Sequence, residues 1–149
     1  MVKAEFGMCL AAPPSLYQRF ILIVGSYQGM LVTRLKVLSS EDAKSFDLFE
    51  SIEAKMVFSS DRTTIILLEI PLGAVVPEHS HPHEQMGFCL QGRAQFVTDE
   101  GEYLVKSGMF YWIRPNEKHS VKIIGDEKGT FVDIFSPPRE DYTSRLKNE

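Results

Sequence analysis

The sequence predicts an all-β protein folded as one antiparallel sandwich or barrel with minor helical turns. Two observations carry this prediction. From Leu31 onward the chain is a succession of short runs rich in β-branched and aromatic residues, each closed by residues with turn chemistry. Helical signals are scarce beside them.

Leu31 to Val37 alternates as a half-buried strand does. Ser40-Glu41-Asp42-Ala43-Lys44 begins with a capping residue and reads as a short helical start. Ile52 to Phe58 and Thr63 to Ile70 are strands joined by a hairpin turn at Asp61-Arg62. Beyond Gly73, six further strands are predicted at Gln85 to Leu90, Ala94 to Thr98, Tyr103 to Val105, Phe110 to Ile113, Ser120 to Ile124 and Thr130 to Phe135. Gln91-Gly92-Arg93, Asp99-Glu100-Gly101, Ser107-Gly108, Pro115-Asn116 and Gly125-Asp126 separate them. Pro138 to Leu146 is expected to close the chain with a helical turn. Residues 1–29 lack sustained alternation and are interrupted by Pro13-Pro14. They are read as an extension, either poorly ordered or contributing Phe20 to Val24 as an added strand on a partner subunit, with the main domain at 30–149.

With 149 residues, 44% hydrophobic and 24% charged, the composition is that of one globular domain, and a net charge of -4 leaves no basic footprint for nucleic acid. Phe20 to Val24 is too short to span a bilayer, so no membrane partner and a cytoplasmic location are expected. Two cysteines make a poor disulfide framework. Cys89, on an apolar strand, either packs as a small buried thiol or shares the face of Gln85 and lines a cavity.

All four histidines fall in two places, His79-Ser80-His81-Pro82-His83 and His119. Residues i, i+2 and i+6 of an extended segment share a face, so His79, His81 and Gln85 can converge on one point, and His119 can supply a fourth donor from a neighbouring strand. Two neutral imidazoles, an amide oxygen and a third imidazole suit one divalent transition metal ion per chain: zinc, nickel, iron or manganese. His83 has the same parity, but Pro82 breaks the segment, leaving it as a ligand or a residue at the rim. Glu84 is expected on the opposite face.

The flanking residues strengthen this reading. Gly73, five residues, His79, one residue, His81, three residues, Gln85, six residues and Gly92 resemble the first signature motif of the cupin superfamily, with Gln85 where most members carry Glu. Gly108, five residues, Arg114-Pro115-Asn116, two residues and His119 resemble its second motif, with Asn116 standing in for a glycine that needs left-handed backbone. The resemblance covers about residues 30 to 142. It implies a double-stranded β-helix, a jelly-roll-like barrel, with metal at its open end.

A finer resemblance joins HSHPHEQ at residues 79 to 85 with DIFSPPREDY at 133 to 142, as in the KdgF family of pectin and alginate breakdown. It implies metal-dependent ring opening and ketonisation of 4,5-unsaturated monouronates, an isomerase- or hydrolase-like linearisation of a small sugar acid. His79, His81, Gln85 and His119 would hold the metal. Asp133 would move the proton, Arg139 would grip the uronate carboxylate with its planar fork, and Phe135 would pack on the sugar ring. A cupin dioxygenase and a non-catalytic sugar-acid-binding cupin are the alternatives. In the run Phe110-Tyr111-Trp112, one ring is expected to line the pocket while the others pack or cover a homodimer surface.

Overall fold

A computed structural model describes residues 35–50 and 52–146. They form ten strands and one short helix: β1 (Lys44–Phe49), β2 (Ile52–Ser59), β3 (Thr64–Ile70), β4 (Val75–His79), β5 (Glu84–Gln91), β6 (Arg93–Thr98), β7 (Gly101–Lys106), β8 (Phe110–Ile113), β9 (His119–Ile124), β10 (Gly129–Ser136) and α1 (Glu140–Arg145). The strands build a six-stranded sheet in the order β1-β2-β3-β10-β5-β8 and a four-stranded sheet in the order β4-β9-β6-β7. All pairings are antiparallel. This is the cupin double-stranded β-helix.

Period-two alternation builds the interior. On β3, Thr64, Ile66, Leu68 and Ile70 are buried, and on β10 Phe131, Asp133 and Phe135 take the inward positions. From β4 onward most connections carry the chain from one sheet to the other, so the two sheets enclose one core that includes Ile52, Ile66, Ile123 and Phe131. Gly92, at the β5–β6 crossing, has φ 84°, and a Cβ there would meet the Lys128 carbonyl at 2.4 Å. Asn116 has φ 64°, the left-handed conformation expected of it, and its N–H donates to the His81 carbonyl at 2.7 Å. That bond ties the loop carrying His81 to the loop that delivers His119.

The expected strands from Ile52 to Phe135 and the closing helical turn are present, with ends shifted by a residue or two. Three expectations are corrected. Residues 35–37 are irregular and exposed rather than the end of a strand, while 31–34 lie outside the described residues. Ser40–Lys44 does not open a helix: the Asp42 N–H donates to the Ser39 carbonyl, and the chain enters β1 at Lys44. A five-residue segment is too short to hold a helix by itself and loses to the burial of Phe46 against Tyr142 of α1, whose ring centroid lies 5.2 Å away. Third, His79 to Gln85 is not one extended segment, because His79 ends β4 in the smaller sheet and Gln85 lies on β5 in the larger. The added strand considered at Phe20 to Val24 lies outside the described residues. No helix among the described residues is long and apolar enough to cross a membrane.

Candidate metal centre and the cavity behind it

His79 and His119 stand directly opposite each other in the β4–β9 pair. His81 reaches the same point from the crossing that Pro82 bends toward β5. Their ligand-capable nitrogens lie within 4.8 Å of one another, His81 and His119 buried and His79 partly so. The His79 and His119 ring centroids are 4.2 Å apart. Convergence therefore comes from strand register and a sheet-to-sheet crossing, not from one strand's alternation.

Each of the three rings is held through Nδ1 by a backbone carbonyl: His79 by Pro77 at 2.8 Å, His81 by His83 at 3.0 Å and His119 by Glu117 at 2.8 Å. Nδ1 is therefore the protonated donor, and each Nε2 presents a bare lone pair, the tautomer a metal ligand needs. Burial lowers the pKa of His79 and His119, and burial followed by the charge of Arg139 lowers His81 to about 4. The rings are neutral at pH 7.

Gln85 completes the set. Its Nε2 donates to Asp133 Oδ2 at 3.0 Å, which turns its Oε1 toward His81 Nε2, also at 3.0 Å. Two lone pairs thus face each other across a buried contact. An imidazolium at His81 would resolve that contact, but a pKa near 4 denies it at neutral pH. A cation shared by Nε2 and Oε1 resolves it, so the residues fit a divalent transition metal.

Behind the histidines lies a cavity lined by Gln85, Asp133, Phe135, Tyr111, Leu48 and Phe49 among others. Asp133 is 3% exposed and sits on β10 between the inward Phe131 and Phe135. Burial raises its pKa to about 6, partly offset by hydrogen bonds from Tyr111 Oη and Gln85 Nε2. Tyr111 is raised well above its usual value by burial and by the neighbouring Asp133 charge. Phe135 is 2% exposed, with its ring 5.5 Å from that of His81.

Arg139 is buried next to this face. Its guanidinium lies 3.8 Å from the Tyr142 centroid and 5.1 Å from that of Phe135. Nε and Nη2 both donate to Asp141, at 2.9 and 2.7 Å, which leaves Nη1 buried without a partner. The fork is thus already engaged and one donor remains free. His83 stands outside the histidine cluster, with its ring 5.7 Å from that of His81. Glu84 points outward, where its Oε2 accepts from Trp112 Nε1 at 2.9 Å. Cys89 is fully buried, its thiol directed to the Gln91 and Gly92 carbonyls rather than to the cavity.

Sequence reasoning left Tyr111 as one of three candidate rings; register decides, for Phe110 is 78% and Trp112 56% exposed while Tyr111 points inward. It missed β1, whose Phe49 ring lies 5.4 Å from that of His79. It also missed Gly87, although a glycine inside a strand signals a close approach. A Cβ at Gly87 would lie 2.1 Å from the Tyr111 ring.

Residues 66–135 match the family described as the cupin domain. The chain's fold is that of a cupin. The chain is 30% identical over 107 residues to H2HPP isomerase from Bacillus subtilis, a stretch covering 71% of this chain but only 45% of that protein. Two solved structures share the fold. An RmlC-like cupin from Shewanella frigidimarina aligns with TM-score 0.66 at 20% identity, covering 73% of this chain and 96% of its own. KdgF from Halomonas sp. aligns with TM-score 0.66 at 20% identity, covering 72% and 99%.

Proposed function

We propose that this cupin is a metal-dependent enzyme that opens and ketonises 4,5-unsaturated monouronates. The observation that carries the reading is the position of Asp133, a buried carboxylate in the cavity shared by His79, His119, Gln85 and Phe135. His79, His81, His119 and Gln85 would hold a divalent ion, which would supply Lewis-acid polarisation of substrate oxygens.

The remaining chemistry falls to the chain's own side chains. Asp133 takes the proton of the hemiacetal hydroxyl as the ring C–O bond breaks, and returns it to the enol carbon as the ketone forms. The change is an isomerisation and needs no oxidant or reductant. A carboxyl raised to about 6 is ionised at neutral pH and still able to return a proton. Phe135 offers a flat apolar surface for the pyranose, and Arg139 Nη1 is the donor left for the uronate carboxylate.

The test is the loss of ring-alkene absorbance from freshly lyase-generated monouronates, followed with metal-loaded protein and with Asp133→Ala. The reading predicts acceleration by the wild type and a rate at least about 100-fold lower for the variant. No acceleration, or an unchanged Asp133→Ala rate, contradicts it.

The 30% identity to H2HPP isomerase favours a second reading, in which the same proton-moving carboxylate serves the isomerisation of H2HPP. Turnover of H2HPP with no turnover of the uronates would decide for it.

A further inference from the structure

One row of residues runs across three strands behind the metal centre. Asp133 on β10 stands opposite Gly87 on β5, and Gly87 stands opposite Tyr111 on β8. A side chain at the middle position would block the row, since a Cβ at Gly87 would fall 2.1 to 2.4 Å from Tyr111 ring and hydroxyl atoms. Because Gly87 carries none, the Tyr111 ring passes over β5 and its hydroxyl donates to Asp133 Oδ1. The other carboxylate oxygen, Oδ2, accepts from Gln85 Nε2 at 3.0 Å.

We propose that Asp133, held by Tyr111 across Gly87, is a positioning residue that sets the polarity of the Gln85 amide and requires a neutral side chain at position 85. An ionised carboxylate only accepts hydrogen bonds, so whatever group of residue 85 faces Asp133 must be an N–H. The amide therefore has one orientation, with Oε1 toward the histidines. A glutamate at 85 would set two buried carboxylates about 3 Å apart with no donor between them, by the geometry of the present contact. One of the two would have to hold a proton. Gln85 and Asp133 thus form one unit with a single negative charge, and the same charge and hydrogen bond can be rebuilt with the roles exchanged, as carboxylate at 85 and amide at 133. This rests on the metal-centre reading for its purpose, but not for its coupling, which belongs to the protein without metal.

The experiment is a double-mutant cycle on the full chain with Gln85→Glu, Asp133→Asn and both together, and with Tyr111→Phe beside them. Two quantities are read: the melting temperature of the metal-free protein and the affinity for zinc by chelator competition. Gln85→Glu should lower the melting temperature by roughly 5 °C and weaken zinc about 10-fold or more. Adding Asp133→Asn to it should recover most of both losses. Tyr111→Phe, which frees one carboxylate oxygen, should weaken zinc several-fold. The side-chain NH2 of Gln85 should be slow to exchange in the NMR spectrum of the metal-free wild type and fast in Asp133→Ala. Additive effects, with the double variant worse than either single one, would overturn the proposal, as would an exchange rate of the Gln85 NH2 that ignores Asp133. If the wild type binds no divalent ion, the metal reading fails, and the melting temperatures and exchange rates still decide whether the pair is coupled.

Discussion

The two sheets contribute to the site in different ways. On the smaller sheet and the crossing beside it, His79, His81 and His119 are each held by a backbone carbonyl, so each ring is oriented by the main chain and independently of the others. On the larger sheet, Gln85, Asp133 and Tyr111 are joined by side-chain hydrogen bonds to one another and none of these bonds uses the main chain. Main-chain anchoring is insensitive to neighbouring side chains, whereas a side-chain network fails as a unit. Substitutions on the histidine side should therefore remove one ligand each, and substitutions on the carboxylate side should spread.

The sharpest way to break this contrast is at a ligand. His119→Ala deletes a buried imidazole that faces His79 across β4 and β9, and zinc affinity should fall at least about 100-fold. The Tyr111–Asp133 bond should survive, which the tyrosine near-ultraviolet signal can report. Loss of both together would contradict the independence of the two halves.

Gly87→Ala acts on the other half without touching any group that bonds the metal or the substrate. Its Cβ must displace the Tyr111 ring, at an expected cost of about 1–3 kcal/mol in denaturant unfolding. Zinc affinity should fall with it through Asp133 and Gln85. A variant of wild-type stability would show that the ring has room the geometry denies.

Acid tests the histidine side. The folded pKa of His81 is depressed to about 4 while the unfolded ring titrates near 6.5, so between these values the unfolded chain binds a proton that the folded one refuses. In the metal-free protein the His81 contribution, read as the difference between wild type and His81→Ala so that the opposite contribution of the raised Asp133 is common to both, should be level above pH 6.5, be lost as pH drops from 6.5 toward 4, and change no further below that. Saturating zinc should move the onset of the loss to lower pH. An acid profile unaffected by His81→Ala would contradict the assignment.

The smallest effect is expected far from the site. Lys128 and Glu69 pair at 2.6 Å, but both side chains are nearly half exposed. Lys128→Ala should cost less than about 1 kcal/mol, diminishing in salt, and should leave zinc affinity unchanged. It serves as the control for the three above.

The same contrast explains what the sequence could reveal. The histidine side is local: the spacing of His79 and His81, the turn at Asn116 and the position of His119 are all visible in short stretches of chain. Even there, the route was misjudged, since Pro82 carries the chain between sheets instead of along one strand. The carboxylate side depends on register among β10, β5 and β8, which no local pattern specifies. Asp133, Phe135 and Arg139 were singled out through the resemblance of DIFSPPREDY, and the first two line the cavity, but the engagement of the Arg139 fork by Asp141 had no sequence mark. Tyr111 and Gly87 needed the sheet itself, because a tyrosine between two other aromatic residues has no sequence mark for facing inward. β1 was hidden for a related reason: its burial against Tyr142 joins residues nearly a hundred positions apart.

The central claim is that both halves serve one reaction through one ion. The most direct measurement is a titration of the metal-free protein with zinc, nickel, iron or manganese while the ring-alkene absorbance of unsaturated monouronates is followed. The account predicts that, with at least one of these ions, turnover rises linearly and breaks at one ion per chain, with negligible turnover before any is added. Full turnover in the metal-free protein, or tight binding of one ion of each kind with no turnover at all, would contradict it.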